Sequence, residues 1–175
     1  MGVAGAGKST VGRALADRLG WVFEDADDYH TPAALAKMSR GEGLSDADRG
    51  PWLDRLAGLV RQRAAGGPPT VLACSALRAA HRARLGTHAP DVAVAWLDVE
   101  ADVLRDRLGA REGHVAGPDL LPSQLATLEP PSGVLRLDGS RPVGALVDEV
   151  CHYVQDRRSD TETRDRRSDT ETPTD

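Results

Sequence analysis

The sequence predicts an α/β domain, a parallel sheet with helices on both faces, and three observations carry that expectation. Gly2-Val3-Ala4-Gly5-Ala6-Gly7-Lys8-Ser9 fits G-x-x-x-x-G-K-[ST], the phosphate-binding loop, and runs into helical spacing at Val11, Leu15 and Leu19. Short apolar runs alternate with amphipathic stretches along the rest of the chain, as they do in strand–helix–strand units. The first such run leads straight into a cluster of carboxylates, and in open α/β sheets ligands bind beyond the carboxyl ends of the strands. The expected class is therefore a P-loop NTPase-type sheet flanked by helices.

A helix is expected over 8–19, its positive dipole end at the phosphates and Gly20 its C-cap signal. Trp21-Val22-Phe23 reads as a short buried strand. Thr31-Pro32 starts a helix that runs to about Arg40, and Gly41 and Gly43 break it. Ser45 or Asp46 caps the next helix, 47–64, whose apolar stripe is Trp52, Leu56, Leu59 and Val60. Gly66-Gly67-Pro68-Pro69 is a turn before a second buried strand over 70–74, with Ser75 at its carboxyl end. A helix over 77–85, a strand over 92–97 and a helix over 101–111 come next. The segment 112–118 holds two glycines and is the candidate lid. A short helix over 122–128, a strand over 134–137 and a helix over 143–154 complete a domain assigned to 1–155. From Asp156 the octet D-R-R-S-D-T-E-T occurs twice, over 156–163 and 165–172. It has no apolar residue to bury, so 156–175 is expected to be a disordered tail.

One element is expected to be incomplete. A phosphate loop ordinarily follows a buried strand, and Met1 stands one residue before this loop. The first strand is expected to be truncated, with the natural start upstream.

Composition excludes several function classes. At 175 residues the chain is long enough for one proper core. A formal net charge of −5 with no basic stripe argues against a nucleic-acid binder. Cys74 and Cys151 are far apart, so neither a disulfide framework nor a clustered metal site is implied. No apolar run reaches membrane-spanning length and no signal peptide is present, which makes the cytoplasm the default location.

The chemistry-bearing residues gather around the loop. Backbone N–H groups of Gly2, Val3, Ala4, Gly5, Ala6, Gly7, Lys8, Ser9 and Thr10 would cradle nucleotide phosphates, Lys8 would reach the β- and γ-phosphates, and the Ser9 hydroxyl would ligate Mg²⁺. Asp25 and Asp27, two apart in a segment expected to be extended, would point to one side. One carboxylate would serve Mg²⁺ through water, and the other would take the proton of an attacking hydroxyl. His30 offers a donor and an acceptor to a polyol, Ser75 a donor at a strand end, and the Arg49 fork suits a carboxylate, although a salt bridge to the acids before it would explain that residue as well. Arg107 and Arg111, four apart, project from one helix face toward the candidate lid.

Asp25-Ala26-Asp27-Asp28-Tyr29-His30, Leu44-Ser45-Asp46-Ala47-Asp48-Arg49-Gly50-Pro51-Trp52-Leu53 and Cys74-Ser75-Ala76-Leu77 resemble blocks of the gluconokinases, the small P-loop kinases related to shikimate and adenylate kinases. Lys37-Met38 with Gly41, Arg107-Leu108, Arg111-Glu112-Gly113-His114, Gln124 and Thr127-Leu128-Glu129-Pro130-Pro131 extend the resemblance over about Gly2 to Val154. Arg78 stands where that family usually has a lysine, and Val115 where it usually has an aromatic. The resemblance implies a nucleoside-monophosphate-kinase-like fold and ATP-dependent phosphorylation of D-gluconate to 6-phosphogluconate, with ATP and Mg²⁺ as cofactors. It assigns Asp25, with Ser9, to the metal and Asp27 to the acceptor hydroxyl. Lys8, Asp27 and Arg111 become the catalytic set, with Arg107 and Arg111 closing on nucleotide and transferring phosphoryl group. His30, Arg49, Ser75 and His114 fall on the substrate side. Relatives are often dimers, so a homodimer is an expectation, and no nucleic-acid or membrane partner is implied. A shikimate-type kinase and a catalytically silent nucleotide-binding protein from a truncated gene are the alternatives. The D-A-D-D-Y-H block with Pro51-Trp52-Leu53 speaks against the first of these.

Overall fold

The computed structural model describes residues 1–40, 42–110 and 120–168. Helix α1 (Lys8–Leu19) follows the loop directly and ends at Gly20, whose φ of 67° lets its N–H close back on the Ala16 carbonyl. Strand β1 (Val22–Asp25) runs into a single 3-10 turn, Ala26–Tyr29, and then α2 (Pro32–Ser39), N-capped by Thr31. Helix α3 (Asp46–Ala64) starts in a capping box, with Ser45 and Asp48 each bonding the other's backbone N–H. Then come β2 (Thr70–Ala73), α4 (Ala79–Arg84), β3 (Ala95–Asp98), α5 (Ala101–Gly109), α6 (Leu120–Thr127), β4 (Leu135–Asp138) and α7 (Val143–Ser168).

Among the described residues all the strand pairing is parallel, as alternating strands and helices require, but it falls into two separate pairs. β1 pairs with β2, Val22 opposite Thr70, and β3 pairs with β4, Ala95 opposite Leu135. Met1 and Gly2 bridge the space between the pairs. The Leu97 N–H donates to the Met1 carbonyl at 2.9 Å, the Met1 amino group donates to the Ala95 carbonyl, and the Gly2 N–H donates to the Ser75 carbonyl at 3.3 Å. The chain passes so close to β3 that a Cβ on Gly2 would stand 2.8 Å from the Leu97 carbonyl oxygen. Burial, with Lys8 adding to it, lowers the Met1 α-amino pKa from 8.0 to about 5, so that this donor is neutral in the folded chain.

The core is divided in the same way. A large cluster joins the loop (Val3, Ala6) and α1 to Leu97, Leu104, Leu121, Leu137 and Leu146, and so to β3, α5, α6, β4 and α7. A small one, Ala26, Trp52, Leu53, Leu56, Cys74, Ala76 and Leu85, lies under the 3-10 turn and α3.

Two local expectations are corrected. The segment after Asp25 is a turn rather than extended, because the Asp25 carboxylate accepts the Asp27 N–H and caps it. α7 continues to Ser168, well into the stretch expected to lack structure. Extending a formed helix needs no new nucleus, and its first tail residues find partners. Arg158 lies 5.0 Å from the Trp21 ring centroid, and Arg157 donates to the Pro90 carbonyl at 3.1 Å. Residues 169–175 lie outside the described residues.

Candidate active site

Gly5, Gly7, Lys8, Ser9 and Thr10 line a cavity at the amino end of α1. Gly7 N-caps the helix, no side chain caps it there, and no acidic residue sits in its first turn, so the positive dipole end is left for an anion. Gly5 has a φ of 81°, and a Cβ there would lie 3.1 Å from Leu108 Cγ, which fixes glycine twice over. Lys8 Nζ donates to the Val3 carbonyl at 3.0 Å, so the ammonium folds across the loop. The Ala4 N–H is held by Gln124 Oε1 at 2.7 Å, which ties the loop to α6.

Beyond the carboxyl end of β1, Ser9 Oγ donates to Asp25 Oδ2 at 2.7 Å, and Asp25 Oδ1 accepts the Asp27 N–H at 3.2 Å. Asp27 opens toward solvent, with a side chain 76% exposed. Partial desolvation within the cleft raises its carboxyl pKa, Asp25 raises it further, and Lys8 and His30 pull the other way. Lys8, Asp25, Asp27 and His30 therefore act on one small volume.

His30 sits behind Asp27 rather than in the opening. Its side chain is only 6% exposed, its ring stacks on Trp52 at 4.8 Å and 8°, and its Nε2 is 3.9 Å from Asp27 Oδ1. Burial lowers the imidazole pKa; Asp27 opposes that shift and Arg49 adds to it. Its Nδ1 is buried without a hydrogen-bond partner among the described residues. Trp52 is itself fixed, Nε1 donating to the Ala26 carbonyl at 2.6 Å.

The second wall follows β2. Ser75 places its carbonyl on Gly2, and Ala76 takes a φ of 44°, a left-handed conformation that a side-chain-bearing residue adopts at a cost. The buried Arg82 holds that turn, donating through NH1 to the Ala76 and Leu77 carbonyls at 3.0 and 2.9 Å. Arg49 NH1 donates to the Leu44 carbonyl and lies 3.9 Å from Asp46 Oδ1. Lys37 bonds both oxygens of Asp48 at 2.8 Å, so Asp48 is already engaged.

Arg107 is brought to the far end of the loop, where NH2 donates to the Gly139 carbonyl at 3.0 Å. Arg111 and His114, and the candidate lid around them, lie outside the described residues. Sequence reasoning missed Arg82, Trp52 as the shelf under His30, and the contact of Gln124 with the loop. Arg82 carries no signal, being one of two arginines on a short helix. Trp52 had one, because it stood in the same motif as Arg49.

Among the described residues no group of three or more His, Cys, Asp or Glu is placed to hold a metal. The Ser9–Asp25 pair still suits Mg²⁺, which takes one or two protein oxygens and completes its shell with water and phosphate.

A family model described as an AAA domain matches residues 1–131. The Gluconobacter oxydans (strain 621H) protein named gluconokinase is 42% identical over 158 residues, covering 89% of this chain and 89% of its own. The crystal structure of an unliganded sugar kinase from Janibacter sp. HTCC2649 superposes with a TM-score of 0.81 at 39% identity, over 89% of this chain and 91% of that one. A gluconokinase structure from Sinorhizobium meliloti 1021 gives 0.78 at 35% identity, over 94% of each chain.

Proposed function

The chain belongs to the gluconokinases, and from that premise we propose that it transfers the γ-phosphoryl group of ATP to D-gluconate, giving 6-phosphogluconate and ADP. The observation that carries the reading is the meeting of two kinds of group. A phosphate loop with its lysine lies against a carboxylate, Asp27, whose raised pKa makes it a better proton acceptor.

Lys8 and the amino end of α1 would hold the phosphates in line, and Ser9 with Asp25 would hold Mg²⁺. Held there, Mg²⁺ would supply charge neutralisation to the nucleotide phosphates. Asp27 would take the proton of the acceptor hydroxyl as its oxygen forms the new bond to phosphorus and the bond to the β-phosphate oxygen breaks. His30, braced by Trp52, would keep the Asp27 carboxylate facing the acceptor. Arg107, Arg111 and His114 keep their sequence-based roles toward nucleotide and acceptor, and Arg49 and Ser75 theirs toward the sugar acid.

A coupled ADP-release assay across gluconate, shikimate and a nucleoside monophosphate tests this. The expected outcome is turnover with gluconate and neither of the others. Preference for shikimate would move the protein to that kinase type, and silence with all three would leave only nucleotide binding.

A further inference from the structure

Arg78 is absent from every role given so far, yet it meets Arg49 on one atom. Arg78 NH1 donates to Asp46 Oδ1 at 2.9 Å, and Arg49 NH1 lies 3.9 Å from the same oxygen. The two arginines come from different elements. Arg49 sits in the first turns of α3, and Arg78 is the residue before α4, just past the Ala76 turn that Arg82 pins. Their charges are close enough that Arg78, after burial, lowers the Arg49 pKa, and both act together on His81. The two guanidiniums share Asp46, while Glu129 nearby is turned to the Ala79 N–H at 2.6 Å. Asp46 is also poorly held, with a side chain 75% exposed, while both arginines are about one-third exposed.

Position gives the cluster a meaning. Arg49 adds to the lowering of the His30 pKa, and His30 is the residue behind Asp27. Arg49 also stands one helical turn before Trp52 on α3, the residue on which His30 stacks at 4.8 Å, so the acceptor side runs from the Asp27 carboxylate past His30 to a cationic pair. An acceptor with a hydroxyl at one end and a carboxylate at the other matches that polarity. A guanidinium pair binds a carboxylate through parallel N–H donors.

Resting on the gluconate reading, we propose that Arg78 and Arg49 form the subsite for the acceptor's carboxylate, with Asp46 as an internal stand-in that the substrate displaces. Arg78 is then a specificity-determining residue, selecting sugar acids over neutral polyols of the same length. Its partner Asp46 weakens acid binding in exchange for keeping the fork assembled when empty.

The test measures dissociation constants by calorimetry for gluconate and for the neutral polyol glucitol, with ADP present, alongside the gluconate assay above. In Arg78→Gln the gluconate constant should rise by about tenfold or more, the weight of one charge-assisted hydrogen bond, while that for glucitol stays as in wild type. Arg78→Lys, which keeps the charge and loses the fork, should fall between. Asp46→Asn should bind gluconate several-fold more tightly. The subsite is overturned if Arg78→Gln weakens both ligands equally or neither, or if Asp46→Asn binds gluconate no better than wild type. A wild-type chain that phosphorylates no gluconate overturns the parent reading and this one with it, whereas turnover with unchanged affinity in Arg78→Gln overturns the subsite alone.

Discussion

Asp27 takes most of its chemical character from its neighbours. Asp27→Asn should keep ATP affinity and lose about 10²-fold or more in turnover, since an amide cannot accept the hydroxyl proton. Steady-state kinetics beside a nucleotide-binding titration check this, and near-normal turnover would remove Asp27 from the role of base. The pH profile offers a separate reading. Because desolvation raises the Asp27 pKa, the acid limb of kcat/KM for gluconate should lie above the ordinary carboxylate range, activity growing as the pH rises through it. A limb at or below that range would contradict the environment described for Asp27. At this scale the sequence was partly legible. The motif spelled out Asp25 and Asp27, but the reasoning that an extended segment aims them alike was wrong. Asp25 caps the turn that carries Asp27, and a side-chain-to-backbone bond of that kind leaves no periodic trace. The burial of His30 was equally hidden, for it depends on Trp52 arriving from α3.

Among the elements, the helices were the easiest to read. α1 matches its expected limits residue for residue, since the loop fixes one end and Gly20 the other. α7 runs past the limit its apolar residues predict, because a polar stretch cheaply continues a helix already nucleated by packing. Removing 156–175 should cost less than about 1 kcal/mol, because the described residues among them contribute two cation–π contacts at the surface and peripheral hydrogen bonds. Thermal melts of the full and shortened chains check that. A fall of ten degrees, or lost turnover with gluconate, would mean that the helical extension supports the domain.

For the whole molecule, the parallel α/β class was legible from alternation alone, whereas the division of the sheet into two pairs was not. Which strands pair is a long-range matter. Here it turns on Met1 and Gly2, which reach both halves and hold a neutral amino group in the seam. Between pH 5 and 8 the unfolded 175-residue chain binds a proton that the folded chain does not, so stability should rise with pH across that window. Denaturant titrations along the pH scale check the slope. In a chain carrying residues ahead of Met1 the α-amino group is gone from the seam and this contribution should vanish; an unchanged slope would assign it to another group. The two cores follow the same division, with the loop, α1 and α7 on the large one and the acceptor-side turn and α3 on the small one. Retargeting is then a matter of splicing. A block from the 3-10 turn to α4 carries most of the small core and nearly everything that reads the acceptor, so a different alcohol could be specified by exchanging that block, provided its β2 still pairs with β1, its Val71 and Leu77 still meet the large core and its Ser75 carbonyl still holds Gly2.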